Sequence, residues 1–295
     1  MQAIVKPWIF ETIDGLRDLT PQEVIITYKW VEENILPLLN LTKNDAIPVG
    51  SYGKKTNAEI SSDIDVAISI DALTKNNLDM GPYHLNGIDA ILQCHGYVTK
   101  QIPGFNQISF AAPLQSFGRW GFVQVDFMLS ENLEWSKFIY HSPDFTINES
   151  KYKGVVRTLL LMAILSESTR NIISKDDNGN TILIESKVIR LPKGIYSTTR
   201  TFMGKKGLIK KAKLLKEHDK LITNDPLEAT KLIVGKQYIP KDLSSFESIW
   251  KILNSHTFIH KEHLGLILDK FKLGLIINKL QVPIEAIKDY PQIFI

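Results

Sequence analysis

The chain reads as an α+β protein: a mixed sheet flanked by helices, followed by a mostly α-helical second domain. Three observations predict this. Two runs, Ser62–Ile70 and Phe122–Leu129, alternate apolar and polar residues with a period of two, the mark of half-buried strands. Between and before them lie stretches with helical spacing and helix-start signals. Residues 1–150 hold 10 basic and 18 acidic residues, whereas residues 151–295 hold 25 basic and 14 acidic. A balance of −8 against +11 suggests two domains of different character, placed at 1–142 and 143–295.

The elements of the first domain follow in order. Thr20-Pro21-Gln22-Glu23 is a helix start, with Thr20 as cap, Pro21 in the first turn and Glu23 three residues after the cap. Val24, Tyr28, Val31 and Ile35 give that helix an apolar face, which Pro37 ends or kinks. Ala46–Val49 is a short strand leading to the turn Gly50-Ser51-Tyr52-Gly53. Eleven residues separate Ser51 from Asp63-Ile64-Asp65-Val66. In a strand, residues i and i+2 share a face, so Asp63 and Asp65 point together and Ile64, Val66 and Ile68 point to the core. Asp71–Pro82 is polar and turn-like, and Tyr83–Gly96 is helical. Tyr97–Ile102, Asn106–Ala111 and Gly121–Leu129 are strands, with Phe117-Gly118-Arg119-Trp120 in the connection before the last. Ser130–Tyr140 is a short helix, and His141-Ser142-Pro143-Asp144 is the break between domains.

Asp63 and Asp65 side by side repel each other unless one is protonated or a cation sits between them. Hard divalent ions prefer carboxylate oxygens, and Mg²⁺ is the usual one beside phosphates. A Gly-Ser turn offers free backbone N–H groups and a hydroxyl, which suit phosphate oxygens. Gly50-Ser51, the spacer, Asp63-Ile64-Asp65-Val66 and a third acid, Asp126, within Phe122–Leu129 together resemble the signature of the DNA polymerase β-type nucleotidyltransferase superfamily. The resemblance covers Ile47 to Ser130, under a third of the chain.

What the resemblance implies is a nucleotidyltransferase fold and a catalytic domain over residues 1–142. The reaction would be attack of an acceptor hydroxyl on the α-phosphorus of a nucleoside triphosphate such as ATP. Asp63, Asp65 and Asp126 would be the catalytic and metal-binding residues, holding two Mg²⁺ ions, with Mn²⁺ as the alternative. Gly50 and Ser51 would grip the triphosphate, with Lys54, Lys151 and Arg157 as further nucleotide contacts. The same triad serves RNA and tRNA 3′-end enzymes, antibiotic- and protein-modifying transferases, and makers of oligonucleotide messengers. A non-catalytic nucleic-acid-binding protein on a retired core is the alternative of another class.

The second domain reads as helices at Ser150–Glu167, Asp225–Val234, Asp242–Leu253, Lys261–Lys270, Leu273–Leu280 and Pro283–Lys288. Asp176–Asn180 lacks the 12-residue calcium pattern and reads as a tight turn between Ile172–Lys175 and Thr181–Glu185. Lys187–Lys216 contains ten Lys or Arg and no Asp or Glu, with Tyr196 and Phe202 interleaved. That composition suits a nucleic-acid partner, through Arg190, Lys193, Arg200, Lys205, Lys206 and Lys210. Within it, Lys205–Lys216 has helical spacing. A single cysteine, Cys94, excludes an internal disulfide framework. No leader-like or membrane-length apolar run is present, so the expected setting is cytoplasmic, without a membrane partner.

Overall fold

A computed structural model describes residues 13–53, 61–76, 84–102, 106–141, 145–147, 150–152, 154–175, 181–191, 193–203, 213–255 and 263–278. The chain divides into two compact units, Met1–Asp144 and Phe145–Ile295.

The first unit opens with α1 (Pro21–Asn34), and its start is the capping box read from the sequence. The Glu23 N–H donates to Thr20 Oγ1, while the Thr20 N–H donates to a Glu23 carboxylate oxygen at 2.9 Å. A 3-10 turn over Leu36–Leu39 takes up Pro37, and Asn40 reverses the chain at φ 51°. Then follow β1 (Ala46–Pro48), β2 (Asp63–Ser69), α2 (Ile70–Lys75), α3 (His84–Cys94), β3 (Thr99–Ile102), β4 (Gln107–Pro113), β5 (Phe122–Ser130) and α4 (Leu133–Tyr140). Helix α2 stands at the start of the stretch expected to be turn-like. Ser69 caps it by accepting from the Ala72 N–H, and Leu73 is wholly buried.

The five strands form one mixed sheet in the order β1-β2-β5-β4-β3. Only the central pair, β2 and β5, runs parallel. Alternation sends Ile64, Val66 and Ile68 of β2, and Val123, Val125, Phe127 and Leu129 of β5, to the same core as α1 and α3. Asp63, Asp65, Gln124 and Asp126 therefore lie on the opposite face. Phe127 anchors this arrangement: it is fully buried, with its ring 5.0 Å from that of Phe110 on β4.

The second unit corrects the expectation of a mostly helical domain. It holds a short hairpin, β6 (Thr146–Ile147) and β7 (Ser150–Lys151), and the helix α5 (Gly154–Ser168). A four-stranded antiparallel sheet follows: β8 (Asn171–Lys175), β9 (Thr181–Arg190), β10 (Gly194–Met203) and β11 (Lys213–Thr223). Its sequence is rich in β-branched and aromatic residues, as in Ile195-Tyr196-Ser197-Thr198-Thr199, which suit a pleated surface better than a linker or helix. Lys213–Lys216 lies in β11, so the helix expected over Lys205–Lys216 does not extend there. Helices α6 (Pro226–Val234), α7 (Phe246–Asn254) and α8 (Leu264–Ile277) close the described chain. Two helices are expected between Lys261 and Leu280; the described part of that range, Leu264–Ile277, is the single α8, with Phe271 buried at the expected break and Gly274 allowing close approach to Leu159 of α5. The expected turn at 176–180 and the helix at Pro283–Lys288 lie outside the described residues.

Phe127→Ala should cost about 3–5 kcal/mol of unfolding free energy, the usual range for emptying a buried aromatic site, and urea unfolding checks it. A loss under about 1 kcal/mol would show that this contact does not hold the sheet together.

Candidate active site

The register of β2 on β5 assembles the acids. Asp65 is paired with Asp126, and Asp63 with Gln124. Neighbouring strands lie about 4.8 Å apart, so Asp65 and Asp126 stand side by side on one face, with Asp63 next along the same strand. On the far side of β5, Ser109 of β4 pairs with Asp126.

Asp126 is 4% exposed. Its Oδ1 accepts from Ser109 Oγ at 2.5 Å and from Gln124 Nε2 at 2.9 Å, and its Oδ2 accepts from the same Nε2 at 3.1 Å. Burial, then the charge of Asp63, pushes the Asp126 carboxyl up to about 7, against the opposing hydrogen bonds of Ser109, Gln124 and Gln107. Gln124 is itself 2% exposed, and among the described residues its Oε1 has no hydrogen-bond partner.

The Gly-Ser turn meets the acids from the β1 side. The Val49 N–H donates to the Asp65 carbonyl at 2.9 Å. Gly50 has φ 59°, and a Cβ there would collide with the Asp65 carboxylate, so glycine is required twice over. Ser51 Oγ lies 2.7 Å from Ser61 Oγ, and the Tyr52 ring packs edge-on against Tyr28 of α1 at 5.3 Å. Tyr140, at the end of α4, is drawn into the same site. Burial, then the Asp65 charge, pushes its hydroxyl up to about 12.

Asp63, Asp65, Asp126 and Gln124 bring carboxylate and amide oxygens, the donor type that hard divalent cations prefer, to one face of the sheet. Among the described residues no three His, Cys, Asp or Glu side chains are grouped closely enough to hold a metal ion. Ser109, Gln124 and Tyr140 were not chosen as site residues from sequence. Only Gln124 carried a signal, through its position two residues before Asp126.

The remaining sequence candidates fare differently. Lys54, Lys205, Lys206 and Lys210 lie outside the described residues. Lys151 is in β7 of the second unit. Arg157, expected as a nucleotide contact, is 4% exposed, and its Nε donates to the Leu243 carbonyl at 2.8 Å. Burial lowers its pKa to about 10. It packs the interior of the second unit and is not a solvent-facing phosphate contact. Arg190 pairs with Asp219 at 3.0 Å and with Glu217, and Arg200 pairs with Glu217 at 3.0 Å. These acids follow the basic stretch in sequence and return across the sheet on β11. Arg200, through its hydrogen bond and charge, and Arg190 hold the Glu217 carboxyl below its ordinary value despite slight burial. Lys193 is exposed between β9 and β10.

No family model matches the chain, and no curated protein matches it. Among the described residues no helix is long and apolar enough to cross a membrane.

A carboxyl raised to about 7 keeps its proton in the folded chain where the unfolded chain has lost it. Its contribution therefore favours folding on the acid side and is lost as pH rises through about 7. In metal-free buffer, Asp126→Asn should gain thermal stability over the wild type at about pH 8, with the gain shrinking as pH falls and vanishing only below about pH 4, under the carboxyl's unfolded value. Equal loss at both values, read by calorimetry, would contradict the crowding of charge around Asp126.

Proposed function

We propose that the first unit transfers a nucleoside monophosphate from a nucleoside triphosphate to a hydroxyl acceptor and releases pyrophosphate. The observation that carries this reading is the register that pairs Asp65 with Asp126, with Asp63 on the same face and Gly50 closed against Asp65. In the reaction, the acceptor oxygen forms a bond to the α-phosphorus, the bond to the β-phosphate bridge breaks, and pyrophosphate leaves with that electron pair.

Asp63 and Asp65 would hold both metal ions, and Asp126 would share the one on the acceptor side. Two bound Mg²⁺ ions would supply Lewis-acid stabilisation of the attacking and leaving oxygens. The raised pKa of Asp126 suits it to take the acceptor proton near neutral pH. The N–H groups of the Gly50-Ser51 turn and the Ser51 hydroxyl would bind the outer phosphates.

The acceptor we favour is a nucleic acid. Its support from the second unit is reduced, because Arg190 and Arg200 already have carboxylate partners. Small-molecule, protein and messenger-type acceptors are outcomes that the same experiment separates. One observation favours a retired core instead: both oxygens of Asp126 already accept hydrogen bonds from neighbours.

Incubation with Mg²⁺, each α-labelled triphosphate in turn and mixed RNA should move label onto RNA. Asp63→Ala/Asp65→Ala should lose more than about 100-fold of that rate, beyond the usual effect of disturbing a metal's outer shell. Label on protein or small products would change the acceptor. No label with any triphosphate, under Mg²⁺ or Mn²⁺, would leave the retired core as the reading.

A further inference from the structure

The connection between β4 and β5, residues 114–121, carries the most conspicuous apolar exposure among the described residues of the first unit. Phe117 is 96% exposed and Trp120 is 86% exposed. The base of this loop is held firmly. The Leu114 N–H donates to the Gly121 carbonyl at 3.0 Å, and the Gln115 N–H to Thr27 Oγ1 at 3.2 Å. Buried Glu23 of α1 accepts from Ser116 Oγ at 2.6 Å and from Arg119 at 3.2 Å, and Arg119 also donates to the Asp18 carbonyl at 2.8 Å. Burial opposes ionisation of Glu23, but Ser116, Thr20 and Arg119 outweigh it and keep the anchoring carboxylate charged. The two rings are thus displayed by an anchored scaffold.

The place of the loop matters. Pro113 pairs with Phe122, so the loop leads directly into β5. At about 3.3 Å per residue, Gln124, the partner of Asp63, is about 7 Å along the strand from Phe122, and Asp126 about 13 Å. Around the rings the surface is polar or small. Gln115 and Ser116 precede Phe117, Gly118 and Arg119 separate it from Trp120, and a Cβ added at Gly118 would meet nothing within 4 Å. The exposed Arg17 runs its stem beside Gly121, next to Trp120.

We propose that Phe117 and Trp120 form a stacking platform for unpaired bases of a single-stranded nucleic-acid acceptor, with Arg17 beside them as a phosphate contact. The identity of the occupant rests on the transferase reading above; the platform itself rests on the loop. A protein partner would need a contiguous patch on the order of 1,000 Å² in total. Within residues 114–122 the only other exposed large hydrophobic residue is Phe122. Isolated ring faces suffice for bases, because every base has a π-face to stack.

The test uses the full chain, EDTA to stop turnover, and a fluorescein-labelled single-stranded oligoadenylate read by anisotropy. The wild type should bind it in preference to the same sequence in a duplex. Phe117→Ala/Trp120→Ala should weaken binding at least about tenfold, given the roughly 5- to 150-fold usual per stacked ring. Phe117→Tyr/Trp120→Tyr should bind like the wild type, which separates lost stacking from lost folding. Asp63→Ala/Asp65→Ala should still bind, so failure of the chemistry leaves the platform standing. Wild-type affinity in the double alanine variant, equal binding of duplex, or no binding by the wild type would overturn the proposal. So would loss, in that variant, only of association with a protein or of self-association. In none of these cases is label transfer itself contradicted.

Discussion

The alignment of two parallel strands governs the first unit. Antiparallel neighbours flank β2 and β5, but these two run side by side, and their register sets Asp65 against Asp126. A slip of β2 by one residue would send Asp63 and Asp65 into the apolar core and bring Val66 out. The core prevents that slip. Ile64, Val66 and Ile68 on one strand, and Val123, Val125, Phe127 and Leu129 on the other, are buried against α1 and α3. Packing of the core thus fixes Asp126 in a buried position beside Asp63, and that burial first, then the Asp63 charge, raises its pKa.

Much of this was legible in the sequence. Strict alternation in Asp63–Ser69 and Phe122–Ser130 showed which residues share a face, because a strand's period is two whatever its neighbours are. Thr20 and Glu23 announced their helix because capping is local chemistry. What alternation could not give was the partner of each strand. Ser109 enters the site only because β4 lies beside β5, and Tyr140 only because α4 ends near Asp65. Gly50 was visible as a turn residue, while its contact with Asp65 needed the fold.

The second unit shows how a sheet pairs charges that lie apart in sequence. Thirty residues without an acid read as an open cationic surface. Folding into a sheet brings Glu217 and Asp219, just beyond that stretch, across to Arg200 and Arg190. Cross-strand neighbours decide local charge, and they are distant in sequence. Arg157 teaches the same lesson on a helix: a basic residue near the start of α5 turns inward and bonds to the Leu243 carbonyl, 86 residues away in sequence. Two cationic candidates are thereby neutralised and one is buried, while Lys193 remains exposed.

The central claim is that Asp63, Asp65 and Asp126 form a seat for divalent cations. Titration of Mn²⁺ into the full chain, followed by electron paramagnetic resonance and calorimetry, tests it most directly. Our account predicts saturable binding that weakens as pH falls below about 7, where Asp126 takes up its proton, and that Asp65→Asn abolishes. Absence of binding by the wild type, or binding that Asp65→Asn leaves intact, would contradict it.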